Sequence, residues 1–239
     1  MARSPARPAK PTIAEVLAQF LAEQRGRLAP KTVAQYQSVV QLLQHSLNSY
    51  AYQSLDKSNA KLFDQLYNAK GSAHREFCDV FGPEHILPNV DEFLGYFMVR
   101  KVFAGKGLLR VAGTVTKKLA RWLAEKGYVK AEEAGDAAER GGEAARDLPR
   151  AEELASLLRH FAEDQERGDE KDEFEDHFTL TRVDRGRIWL EGMLDGRELG
   201  PIAVPVEISS RCRVGWTISG VVGCLGKRWQ LVEAWNVYP

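Results

Sequence analysis

No apolar run in this chain approaches the roughly 18–20 residues that a membrane-crossing helix requires, so the pattern predicts no membrane partner. The basic N-terminus MARSPARPAKP leads into no apolar segment, and residues 1–11 read as a disordered arm, not a secretory signal. Cysteine is scarce. Cys78, Cys212 and Cys224 are an odd number at no metal-ligand spacing, which speaks against a disulfide framework and for reduced thiols in a cytoplasmic protein. Histidine is nearly as rare: His45, His74, His85, His160 and His177 are scattered, and none follows. His74 and Cys78 stand four apart, but two ligands do not make a metal site. No Ser-His-Asp or Cys-His set emerges, and Gly105-Lys106-Gly107 lacks both the preceding strand and the spacing of a phosphate-cradling P-loop. The expectation is therefore no enzyme, no cofactor and no metal.

Net charge is also missing, since 33 Lys+Arg balance 33 Asp+Glu. Taken whole, that neutrality argues against a nucleic-acid partner; taken by segment, it does not. Residues 1–130 hold 19 Lys+Arg against 10 Asp+Glu, residues 131–177 hold 6 against 17, and residues 178–239 hold 8 against 6. Electrostatic attraction depends on local potential, screened over about 8 Å in physiological salt, so the first segment can act as a basic module.

What is present is led by the stretch Gly105–Gly127, GKGLLRVAGTVTKKLARWLAEKG. Wound as an α-helix at about 100° per residue, it sets Leu108, Ala112, Val115, Leu119, Trp122 and Leu123 on one arc. Arg110, Thr114, Lys117, Lys118 and Arg121 fall on the other. Solvated helix faces usually mix charges, because opposite pairs at i, i+4 help and like pairs hurt. A face of one sign suits a phosphate backbone; the plainer alternative is a basic face that is merely solvated.

Around it the pattern is helical. Thr12-Ile-Ala-Glu15 is a capping box before Val16, Leu17, Phe20 and Leu21. Pro30 opens a second helix carrying Val33, Tyr36, Val40, Leu43 and Leu47, with Lys31, Thr32 and Gln35 at an N-terminal turn that favours phosphate. Further helices are predicted near residues 59–69 and 89–97, making 12–130 an all-α bundle. Residues 131–177 read as an acidic helical linker, with helices near 131–138 and 151–162 interrupted at Gly141-Gly142 and Pro149 and an acidic run from Glu163 to Asp176. From Phe178 the period becomes two, Asp195-Gly196 signals a hairpin, and five short strands, including Pro201–Ile208 and Val214–Val222, predict a small β-barrel, SH3-like or OB-like, over 178–239. The fold class is thus α+β in several domains. The barrel's Trp189, Trp216, Trp229 and Trp235 suit its core with a protein-docking surface beside it; interleaved with arginines they would also suit single-stranded nucleic acid.

Phe20-Leu21, Leu28-Ala-Pro-Lys-Thr32 with Tyr36, Asp91-Glu-Phe-Leu94 and the helix ending Lys118-Leu-Ala-Arg-Trp-Leu-Ala-Glu-Lys-Gly127 resemble the SAM-like core-binding domain of tyrosine recombinases and phage integrases. The resemblance implies a four- or five-helix unit that grips duplex DNA with its second and last helices. It transfers DNA contact to Lys31, Thr32, Gln35, Lys106, Arg110, Thr114, Lys117, Lys118 and Arg121. Tyr50–Pro88 is longer than the family's usual connection and looks inserted. The family's catalytic domain of roughly 170 residues has no counterpart, and Tyr238 has no arginine clamp or general base that sequence can place beside it. The expectation is a DNA-binding protein without the cutting half. The alternative is a protein-interaction adaptor whose basic face docks an acidic partner or the chain's own acidic segment.

Overall fold

A computed structural model describes residues 8–165, 172–226 and 228–239. It is α+β, with a helical N-terminal region and a five-stranded C-terminal sheet. The chain divides into two units: residues up to Lys101 with Leu108–Ala145, and Val102–Gly107 with Arg146–Pro239.

In the first unit, helix α1 (Ile13–Arg25) starts at the expected capping box, with the Thr12 amide donating to Glu15 Oε2 at 2.8 Å and the Glu15 amide to Thr12 Oγ1 at 3.3 Å. The arm before it is not wholly free, because the Ala9 amide donates to the Val80 carbonyl at 2.8 Å; residues 1–7 lie outside those described. Helix α2 (Pro30–Tyr50) follows, then α3 (Lys57–Tyr67), whose first amides Ser58 and Asn59 donate to Asp56 Oδ1. Short helices α4 (Phe77–Val80) and α5 (Met98–Arg100) precede the long α6 (Lys106–Glu125). The helix expected near 89–97 forms as a π-helical stretch, Glu92–Phe97, that buries Phe93, Leu94 and Phe97 as its spacing implied. Fully buried Phe20 is the hub: its ring lies 6.1 Å from Tyr36 of α2 and 5.4 Å, edge-on, from Trp122 of α6. Replacing it with Ala would cost about 3–5 kcal/mol.

The acidic linker is where expectation and structure part. Residues 131–163 are one helix, α7 (Ala131–Glu163), continuous through Gly141-Gly142 and Pro149. Those glycines do not break the helix. A Cβ on Gly113 of α6 would stand 2.3 Å from the Ala145 nitrogen and 2.5 Å from the Gly141 oxygen, and one on Gly141 would stand 2.7 Å from the Lys117 nitrogen. The two backbones touch there, and Ala134, Ala137, Ala138 and Ala144 are buried along α7. Pro149 has no N–H for the Ala145 carbonyl, and Ala145 is also where the first unit ends. The second half of α7 gives Ala151, Leu154, Ala155 and Leu158 to the β unit's core.

In that unit, β1 (Asp172–Asp184), β2 (Arg187–Gly192), β3 (Glu198–Ala203), β4 (Thr217–Leu225) and β5 (Arg228–Tyr238) pair in the order β1-β2-β3-β5-β4, and β4 pairs back on β1. β1 begins six residues earlier than its alternation suggested, so Asp172–Asp176 belong to the sheet rather than to a linker; residues 166–171 lie outside those described. The strand expected through Ile208 stops at Ala203. Pro205 then turns the chain into the single helical turn α8 (Val206–Ser209), and β4 starts at Thr217 instead of Val214. Phe178, Leu180, Ile188, Leu190, Leu199, Ile202, Ile218 and Leu231 fill the interior.

The α6–α7 contact predicts opposite outcomes for two glycines. Gly113→Ala should destabilise the protein by about 3 kcal/mol or more in chemical denaturation, because backbone must move. Gly135→Ala, on α7 with nothing within 4 Å, should be neutral or stabilise by up to about 1 kcal/mol.

Candidate nucleic-acid interface

Helix α6 buries Leu109, Ala112, Gly113, Val115, Thr116, Leu119, Ala120, Trp122 and Leu123, an arc of about half its circumference. That is wider than its apolar stripe, because α7 packs on the glycine side. Leu108 is half-buried. The remaining strip holds Arg110, Thr114, Lys118 and Arg121, all exposed, and Lys117, half-buried. Glu125 shares the strip at the last turn, so one carboxylate sits among the cations. Among the described residues, Arg110, Lys117, Lys118 and Arg121 form no ion pair.

Two of the expected contacts are otherwise engaged. Lys106 Nζ lies 3.2 Å from Glu153 Oε2, and this pair holds the Glu153 carboxyl below the ordinary carboxylate range. The Thr114 hydroxyl donates to the Arg110 carbonyl at 2.9 Å, so it offers a phosphate no proton unless it rotates.

Helix α2 supplies the second element. Its first intrahelical bond runs from the Val33 amide to the Ala29 carbonyl at 3.0 Å, leaving the Lys31 and Thr32 amides without helix partners. Ala29 caps with no side-chain hydrogen bond, and the first turn holds no acid, so the positive end of the dipole is uncompensated. Lys31 and Gln35 are exposed and Thr32 is half-buried. The turn before α2 adds two cations that helix-by-helix reading overlooked. Arg25 and Arg27 are exposed and form no ion pair among the described residues. The signal was in the sequence, since Arg25–Lys31 holds three cations and no acid.

Phe20 links the two elements. Tyr36, one turn beyond Thr32, and Trp122, next to Arg121, both pack on it. Glu23 of α1 reinforces the link by accepting from Trp122 Nε1 at 2.9 Å and Lys126 Nζ at 2.7 Å. Lys126 is thereby spent on the fold while its neighbours on α6 stay free.

The acidic segment does not cover this strip in the first unit. Residues 131–145 pack against the Gly113 side of α6, and Arg140 pairs with Asp91 at 2.8 Å. In the β unit only Trp216 of the four tryptophans is buried; Trp189 and Trp229 are half-buried and Trp235 is exposed. Arg182 lies 4.4 Å over the Trp189 ring and pairs with Asp184 at 2.7 Å. Burial pushes the Cys212 thiol up to about 12 and the Cys78 thiol higher still, so both are neutral near pH 7. Among the described residues no cluster of three or more His, Cys, Asp or Glu is arranged for a metal, and no helix is long and apolar enough to cross a membrane. No protein-family model, no curated protein and no solved structure matches the chain.

Hydrogen bonds from Lys126, then Trp122, hold the Glu23 carboxyl below its ordinary value. Its folded pKa lies below the unfolded one, so its stabilisation is present above about pH 4.3 and fades as pH falls through the folded value. Glu23→Gln should therefore be less stable than the parent at pH 6, with the difference in melting temperature shrinking as the pH is taken below the ordinary carboxylate range. A difference that holds constant across that range would contradict the role given to Glu23.

Proposed function

We propose that this chain is a non-catalytic DNA-binding protein related to the core-binding domain of site-specific recombinases and integrases. Duplex DNA lies along the outer strip of α6 and the N-terminal turn of α2. The observation that carries this is the set of cations, Arg110, Lys117, Lys118 and Arg121, that form no ion pair among the described residues, on a helix whose other half is buried. The uncapped α2 terminus with Lys31, and Arg25 and Arg27 before it, supply further phosphate donors.

Such contacts meet phosphate and therefore position the protein without reading sequence. On this reading the protein stays in the cytoplasm. The helical unit is read as SAM-like. The β unit is read as OB-like in preference to SH3-like. Support comes from the strand order β1-β2-β3-β5-β4, with β3 and β5 parallel and α8 inserted between β3 and β4, which is a Greek-key crossover and not a plain meander. This unit is the place for a protein partner.

Neutralising five to seven phosphates gives a slope of log K against log salt of roughly −4.5 to −6. Lys117→Ala, Lys118→Ala and Arg121→Ala combined should flatten that slope by about 3 and weaken duplex binding at least about tenfold near physiological salt. Lys118 and Arg121 are exposed and Lys117 is half-buried, so the melting temperature should fall little and the variant should stay folded. Unchanged duplex affinity in a folded triple variant, or parent protein that binds an acidic polypeptide and not DNA, would overturn the proposal.

A further inference from the structure

The segment Tyr50–Pro88, for which the recombinase resemblance offers no counterpart, builds something of its own. Together with the end of α2 it encloses an open cavity of about 750 Å³, whose lining includes Asn48, Tyr52, Phe63, Asp64, Tyr67 and Glu76. No Lys or Arg lines it. At 1.5 Å per residue, Asn48 stands about 25 Å along α2 from Lys31, so the cavity is distinct from the strip proposed for DNA.

Three features give it one chemical preference. First, Phe63 sits between two tyrosines, its ring centroid 6.2 Å from Tyr52 and 5.2 Å from Tyr67. Tyr52 is 47% exposed and Tyr67 45%, an unusual cost for large rings unless their faces are used. Second, Asp64 adds a carboxylate that has no ion pair among the described residues, while the Glu76 carboxylate is paired with His74. Third, α2 and α3 both end at this cavity, and neither has a basic residue in its last turn; His74 meets the last carbonyl of α3, which leaves the negative end of α2 facing the cavity without a cation in its last turn. The neighbouring His74 takes up part of this negative charge, Glu76 first. Its Nδ1 lies 2.6 Å from the Tyr67 carbonyl and its Nε2 3.1 Å from Glu76, contacts that raise its pKa.

We infer that this cavity binds a small organic ammonium ion, held by the Tyr52, Phe63 and Tyr67 rings with Asp64 supplying the opposite charge. Aromatic faces attract a cation through the ring quadrupole, and an alkylated ammonium is weakly enough hydrated to leave water for them. Phosphate-bearing ligands are disfavoured by the carboxylates.

Calorimetric titration of the full chain tests this with choline against 3,3-dimethyl-1-butanol, the same shape without the charge. Choline should bind at least about tenfold more tightly than the neutral analogue. Asp64→Asn, nearly isosteric and exposed, should weaken choline about threefold or more, and Tyr67→Ala should weaken it further while far-UV circular dichroism stays unchanged. Equal affinity for choline and the neutral analogue, no choline binding up to about 20 mM, parent-like affinity in Asp64→Asn, or tighter binding of adenosine than of choline would each overturn the inference.

Discussion

A helix gripped along half its circumference has only one strip left on which to carry charge, and that constraint governs the helical unit. Trp122 of α6 packs on Phe20, and Gly113 lets the backbone of α7 come within contact of the same helix. Between them these contacts fix the rotation of α6 about its own axis. Once it is fixed, Arg110, Lys117, Lys118 and Arg121 have nowhere to go but outward. Among the described residues the fold provides them with no carboxylate partner, although it does provide one for Lys126, through Glu23, and for Lys106, through Glu153. The contrast between unpaired cations along α6 and the paired ones at its start and just past its end is sharper than the count of cations alone.

Much of this was legible in residue spacing. The Thr12–Glu15 box, the Pro30 start, the outward set on α6 and the five strands follow from rules acting over one or two turns or across one hairpin. What escaped was set by partners distant in sequence. Gly141 and Gly142 look like helix breakers to a local reading. Gly141 instead lets α7 approach α6, a gain that outweighs the roughly 1 kcal/mol a glycine costs in a helix. Alanine and glycine in an acidic context read as a linker because neither is hydrophobic enough to announce a buried face, yet Ala134, Ala137, Ala138 and Ala144 are core. Removing residues 131–145 would uncover the Gly113 side of α6 and is not a neutral truncation.

The same distinction explains the functional residues. Exposure of Arg110 and Lys118 follows from helical phase, but the capture of Lys106 by Glu153 depends on residues 47 apart, and the hydroxyl of Thr114 turns back onto its own helix. Arg25 and Arg27 were visible as an acid-free basic turn, and were overlooked because attention fell on helices. The aromatic cavity was not legible at all. Tyr52, Phe63 and Tyr67 carry the spacing of ordinary core residues, and only the fold of the Tyr50–Pro88 segment shows two of those rings standing half in solvent.

The central claim is that the outer strip of α6 lies against an anionic polymer, and lysine acetylation footprinting read by mass spectrometry tests it without altering the protein. With saturating duplex DNA, Lys117, Lys118 and Lys31 should become several-fold slower to acetylate, while Lys126, held by Glu23, and Lys61, on α3, keep the rates of the free protein. DNA bound with Lys117 and Lys118 as reactive as before would contradict the account.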